Sequence, residues 1–350
     1  MPAHNRLEKS QNFLIMAATI SIVICCYNSE ARLLPTLEHL ALQQAIQPEE
    51  WEIILVDNNS GDNTAQFARQ TWLSLGERVC LRVVSEAQPG LLYARLKGVR
   101  EAQAELIAFV DDDNWLEPEW LRQAIDIMRG HPEVGALGGS IEAVYQTPSP
   151  DWINSMEDML ACGRVDESYE HIFARGGLIA GAGCVIRKSC YTQVLEKFGP
   201  FEMAGRTGAA LSGGDDIELL YKIQLLGFKV MKSGKLRLKH FIPAGRTTLP
   251  YFIKLASEFE RGAMRLDPLR RVVSGQSHPT FWYYRWLAGF WVRLASSSLM
   301  AVVGGRRSSR PYVAFQAKKS VLLQTFAAKF TYEQAVAHLH DICKPNSSGN

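Results

Sequence analysis

A chain of 350 residues, 47% hydrophobic and 21% charged, can bury a sizeable core; that excludes the disordered and fibrous classes and suits one large domain with an appendage, or two domains. Seven cysteines (25, 26, 80, 162, 184, 190, 343) form no CxxC pair and no Cys/His cluster at zinc spacing, so a disulfide scaffold and a zinc module are excluded and reduced thiols in a cytosolic chain are expected. The net charge of +2 hides an asymmetry, because Pro268 to Tyr332 holds ten Lys or Arg and no Asp or Glu, leaving 28 basic and 36 acidic residues elsewhere.

Residues 1–18 show no basic region leading into a long apolar run and a cleavage site, so no signal peptide is expected and the segment is read as an extension. Four short apolar runs follow: "TISIVICC" (19–26), "WEIILVD" (51–57), "RVCLRVV" (78–84) and "ELIAFVD" (105–111). Each is continuous and rich in Ile, Val or Leu, as strands buried on both faces of a parallel sheet are. Helix-compatible stretches at 30–43, 62–75 and 90–103 separate them. The alternation predicts βαβ units and an open, mostly parallel, Rossmann-like sheet.

After the fourth run come three carboxylates, Asp111, Asp112 and Asp113, and then a helix signature. Asn114 is the expected cap, Pro118 suits the first turn, and Leu121, Ala124, Ile125 and Met128 share one face up to Gly130. Beyond residue 131 the order is mixed. "GALGGSIEAVY" and "GAGCVIRK" read as strands; 151–161, 188–198 and 215–226 read as helices, the last closed by Gly227. The long connections 162–180 and 199–213 are of a length usually tied to function.

Ligands of open α/β sheets bind at the carboxyl ends of the strands, where Asp57 and the acidic triplet sit. Adjacent carboxylates repel unless a cation compensates, and a hard divalent ion such as Mg2+ or Mn2+ is the natural one. Strand alternation puts Asp111 and Asp113 on one side and Asp112 on the other. Asp112 is kept among the nucleotide-proximal candidates, with a structural role as its alternative.

The motifs "ISIVICCYNSE", "WEIILVDNNSGDNT", "AQPGLLYARLKGV", "FVDDDNWLEPEWL" and "SGGDDIELLYKIQLLGF" together resemble the glycosyltransferases of family 2 with the GT-A fold, over about residues 19–262, and most of all those building bacterial exopolysaccharides, capsules and O-antigens. The resemblance implies a GT-A domain at 19–265, its nucleotide-binding half at 19–130 and acceptor half at 131–265, followed by a basic helical region at 266–350. It implies that Cys25, Tyr27 and Asn28 line the nucleotide site, that Asp57 meets the base, commonly uracil, and that Arg95 and Arg246 lie near the diphosphate. Asp111 and Asp113 match the two ends of the DxD motif, with Asp113 and His240 as metal ligands. Asp216 matches the general base, and Asp215 stands where the family has Glu. Cys25 and Cys26 replace the more usual Pro and Thr.

The activity so implied is inverting transfer from a nucleoside diphosphate sugar to a hydroxyl of a glycan or lipid-linked acceptor, using Mg2+ or Mn2+. A sugar nucleotidyltransferase is the alternative enzyme, though "CCYNSEARLL" lacks the Gly-rich basic loop it needs, and an inactive carbohydrate-binding scaffold is the alternative without chemistry. The glycines of "GGLIAGAGC" are expected to let backbone approach donor or acceptor. The segment "FWYYRWLAGFWVRLASSSLMAVVGGRR" clusters aromatics with an apolar run, which points to an anionic membrane surface and away from nucleic acid. Arg293 near its centre would cost roughly 2.5–3.5 kcal/mol inside a bilayer, so lying on the membrane, spanning it and packing as an ordinary helix all stay open. A cytoplasmic protein, peripheral on the membrane, is expected.

Overall fold

The computed structural model describes residues 18–203, 205–206, 213–276, 281–303 and 310–343. The N-terminal extension, apart from Ala18, the polar C-terminal tail and part of the 199–213 connection lie outside them.

Nine strands form one mixed sheet: β1 Ile20–Cys26, β2 Trp51–Asp57, β3 Leu81–Ser85, β4 Leu106–Asp111, β5 Asn114–Leu116, β6 Val134–Tyr145, β7 Glu170–Phe173, β8 Cys184–Arg187 and β9 Lys229–Ile242. Their order is β3-β2-β1-β4-β8-β6-β9-β5, with β7 pairing β9. The first four are parallel, as expected, and β8 joins β4 antiparallel. Helices α1 Leu33–Ala41, α2 Thr64–Ser74, α3 Leu91–Glu101, α4 Trp120–Gly130, α5 Lys188–Phe198 and α6 Asp215–Leu225 flank the sheet, and α7 Leu249–Val273, α8 Trp282–Val303, α9 Arg310–Ala327 and α10 Lys329–Cys343 follow.

The continuous apolar strands are explained by two covered faces. Ile22 and Ile24 of β1 join a core with Leu33 and Leu37 of α1, while Val23 joins another with Ala94 and Val99 of α3. Such a strand has no solvent face and shows no alternation. The third strand departs from expectation: it starts at Leu81, and its first four residues are only half-buried because it is the sheet edge.

Two other expectations, for Asn114 and for 151–180, are corrected. Asn114 does not cap α4, which starts at Trp120 after Glu119; it opens β5 instead. The 151–161 segment is a pair of 3-10 turns broken at Met156, and the 162–180 connection contains β7. The expected domain end at 265 falls inside α7, a 25-residue helix capped by Thr248 with Pro250 in its first turn. Buried Asp267 pairs with Arg271 at 2.5 Å and accepts from the Tyr332 hydroxyl at 2.5 Å, fastening α10 to α7. Cys25, Cys26, Cys80, Cys162, Cys184 and Cys190 form no disulfide.

Candidate active site

The sheet's connectivity reverses between β1 and β4, and the register there sets Cys25 beside Asp111 and Cys26 beside Asp57. The strand ends at Asp111, so Asp112 and Asp113 lie in a turn and strand alternation no longer governs them. The turn is held by Asn114, whose Oδ1 accepts the Asp111 N–H at 3.2 Å, and by the Asp113 carbonyl, which accepts the Phe241 N–H at 2.9 Å. Pairing of β5 with β9 sets Asn114 opposite His240. The two metal candidates thereby meet: His240 Nε2 is 3.5 Å from Asp113 Oδ1, while Arg246 Nη1 is 3.4 Å from Asp113 Oδ2.

Burial opposes the charge on Asp113, but hydrogen bonding from His240 and the charges of His240, Arg246 and Arg32 hold its carboxyl below the usual range. Burial likewise opposes protonation of His240, yet Asp113 and Cys162 outweigh it and carry the imidazole up to about 10. Cys162 Sγ lies 3.8 Å from His240 Nδ1, on the side away from Asp113. Metal-binding histidines usually donate their second ring N–H to a carboxylate, a carbonyl or water; here a thiol stands in that place.

Asp112 is buried and engaged within the protein, accepting from Ser29 Oγ and pairing with Arg32 Nη2 at 2.7 Å. Burial pushes its carboxyl up to about 6 against the pull of Arg32. Its structural alternative is therefore the one the geometry favours. Arg32 also donates to the carbonyls of Tyr27 and Asn28 at 3.0 Å each, so Asp112 orders the loop after β1.

In that loop Asn28 has φ 50, a left-handed conformation that Asn tolerates. Its N–H donates to Ser60 Oγ at 3.0 Å and its Oδ1 accepts the Gly61 N–H at 2.8 Å. Asp57 Oδ1 accepts the Ser60 N–H at 3.2 Å. The loops after β1 and β2 are thus stitched together, with Tyr27 left 45% exposed at their rim. Cys25 is half-buried, and desolvation pushes its thiol up to about 12, leaving it uncharged among Arg95, Asp111, Asp112 and Asp215.

Arg95 is buried and paired within the protein. It is 8% exposed, lies over the Phe109 ring at 5.5 Å, and pairs through Nη1 with Asp215 Oδ2 at 2.7 Å. Burial opposes its charge, but Asp215, Asp111 and Asp216 keep it firmly protonated. Asp215 is thereby removed as a free base. Glu218 is also spent, pairing with Lys222 at 2.6 Å and accepting the N–H groups of Glu202 and Met203.

Asp216 differs. Burial and the neighbouring Asp215 raise its carboxyl above the usual range, only partly offset by Arg95. Together with Arg95, Phe109, Gly181, Tyr191 and Asp215, it lines a small pocket. A β-carbon at Gly181 would stand 2.9 Å from Asp216 Oδ2 and 3.0 Å from Arg95 Nη2. That glycine therefore makes room for the protein's own acid and base, where donor or acceptor had been expected.

The structure brings Asp113, His240 and Arg246 together, and separately Arg95, Asp215 and Asp216. Residues missed in the sequence are Ser29, Arg32 and Cys162. Arg32 stands in a quoted motif, but nothing local marks its partner. Among the described residues no cluster of three or more His, Cys, Asp or Glu side chains is placed to hold a metal.

Residues 21–175 match the family model described as glycosyl transferase family 2. The glucosyl-dolichyl phosphate glucuronosyltransferase of Haloferax volcanii is 30% identical over 137 residues, which cover 38% of this chain and 39% of that protein. The poly(ribitol-phosphate) beta-N-acetylglucosaminyltransferase TarS of Staphylococcus aureus is 29% identical over 111 residues, 32% of this chain and 19% of that one. The chain therefore matches well under half the length of either relative. Among solved structures, the mannosyltransferase PcManGT of Pyrobaculum calidifontis, in complex with GDP-Man and Mn2+, aligns with TM-score 0.57 and 17% identity, covering 90% of this chain and 87% of that one. This likeness is one of fold, and it is the GT-A fold expected from the sequence.

Proposed function

Since residues 21–175 match glycosyl transferase family 2, we propose that the chain is an inverting glycosyltransferase moving a sugar from a nucleoside diphosphate sugar, a UDP-sugar first among them, to a hydroxyl of a glycan or lipid-linked acceptor in surface polysaccharide synthesis. The observation that carries the reading is the division of labour among the acids: Asp113 sits with His240 and Arg246 at the β4 end, while Arg95 pairs with Asp215 and leaves Asp216 lining a small pocket with its carboxyl raised. The two curated relatives, named for a dolichyl phosphate-linked sugar and a poly(ribitol-phosphate), support a phosphate-borne acceptor.

In this reading the nucleotide enters over Tyr27, Asn28 and Asp57. Arg246 meets the diphosphate, adding positive charge where the leaving group gains negative charge. Asp216 takes the proton of the acceptor hydroxyl, whose oxygen bonds to the anomeric carbon as the bond from that carbon to the diphosphate breaks. Its raised affinity for protons suits a base. Arg95 holds Asp215 and so fixes the start of α6.

The donor set of Asp113 and His240 fits a divalent cation such as Mn2+ or Mg2+, whose remaining ligands would come from the diphosphate and water. When bound, it would neutralise the leaving diphosphate as a Lewis acid. The reaction belongs in the cytoplasm, at the membrane face.

The test is a thermal-shift screen of nucleoside diphosphate sugars with and without Mn2+, repeated on Asp113→Ala and Asp216→Asn. One donor should stabilise the wild type more with Mn2+. Asp113→Ala should lose that increment, and Asp216→Asn should keep it while losing transfer. No stabilisation by any nucleotide sugar would defeat the proposal.

A further inference from the structure

Helix α8 is apolar over most of its circumference, interrupted by Arg285, Arg293 and the serines 296–298, and only one side is covered. Trp282, Tyr283, Trp286 and Phe290 are buried against Val321 of α9 and Tyr332 of α10, and the Tyr283 hydroxyl donates to the Thr325 carbonyl at 2.8 Å. On the other side Trp291, Val292, Leu299, Met300, Val302 and Val303 are exposed. Phe326 of α9 extends this face, its ring 6.1 Å from that of Trp291. Among the described residues α8 is the one helix long and apolar enough to cross a membrane. A helix this apolar is buried in protein or meets lipid, and a patch of this kind marks an interaction surface.

The charge on this face selects the occupant. Residues 268–332 hold ten Lys or Arg and no acid, and Arg285, Arg293 and Lys319 are exposed on α8 and α9. A second copy of the chain, docked by the same patch on both subunits, would set these cations against their own copies. Anionic lipid headgroups would meet them favourably. Because α9 and α10 pack on its inner face, a spanning α8 would draw Lys318, Lys319 and Lys329 toward the bilayer core, where charge is costly.

We propose that the outer face of α8, continued by α9, docks the protein on an anionic phospholipid surface, with α8 lying in the plane of the interface. Val292, Leu299, Met300 and Val303 enter the acyl boundary, Trp291 and Tyr284 sit at headgroup depth, and Arg285 and Arg293 meet lipid phosphates. This contact needs neither donor nor acceptor, so its test is independent of sugar transfer.

The experiment is flotation of the full chain with phosphatidylcholine vesicles, with or without phosphatidylglycerol, at low and high salt. The protein should partition onto the phosphatidylglycerol vesicles, and less so as salt rises. Leu299→Glu with Met300→Glu should reduce the partition at least tenfold, and each of Arg285→Gln and Arg293→Gln roughly fivefold. Thermal melting of the arginine variants should match the wild type, which separates loss of docking from loss of fold. Equal partition onto both vesicle types, no partition onto either, or a lipid-free dimer that Leu299→Glu dissociates would overturn the proposal.

Discussion

Two pairs of adjacent acids define the site, Asp112–Asp113 after β4 and Asp215–Asp216 at the start of α6, and they are resolved in opposite ways. In the first pair both carboxylates have cations, Arg32 for Asp112 and His240 with Arg246 for Asp113. In the second Arg95 is taken by Asp215, and Asp216 is left raised although Arg95 and Arg206 both pull it down. Two adjacent aspartates are thus both ion-paired in one place, and only the first of them is in the other. Placement of the cations makes the difference.

The largest effect should come from removing the cation of the second pair. Arg95→Met leaves Asp215 buried without its partner and should cost about 3–5 kcal/mol of stability, read from urea unfolding. A loss near that of a surface substitution would mean that the pair is hydrated and that the contrast with the first pair is false.

Gly181→Ala tests whether the space around the free base is as tight as the geometry says. The added methyl would crowd Asp216 Oδ2 and Arg95 Nη2, which overpacking data put at roughly 1–3 kcal/mol. Unfolding midpoints measure it. Unchanged stability together with unchanged transfer would remove Gly181 from the site.

The smallest effect is a slope. The folded chain holds a proton on Asp216 more tightly than the unfolded chain does. Stability from this group is therefore full below the ordinary carboxylate value of about 3.9 and is lost as pH rises through the raised folded value. Asp216→Asn should flatten that fall, measured as the difference between wild-type and variant stability across the acid range. A difference of the opposite sign would show Asp216 to be paired after all.

Much of the nucleotide half was legible. Buried parallel strands need uninterrupted Ile, Val and Leu, so β1, β2 and β4 could be read within a residue. The apolar face of α4 was equally plain, since Leu121, Ala124, Ile125 and Met128 are all fully buried. Asn114 misled because a cap and a turn anchor use the same short side chain, and pairing with β9 decided for the latter. β3 misled because an apolar run does not tell a central strand from an edge.

The sequence by itself determined the strand ends, the acids set on them and the basic apolar C-terminal segment, because each is a local pattern of residue types. Only the tertiary structure decided which acid is free. Ser29 meets Asp112 across 83 residues, and Arg95 meets Asp215 across 120. Contacts at such separations follow from sheet order and helix packing, which no local spacing encodes. The same holds for α8: its composition was visible, but which of its faces the protein covers depends on where α9 and α10 pack.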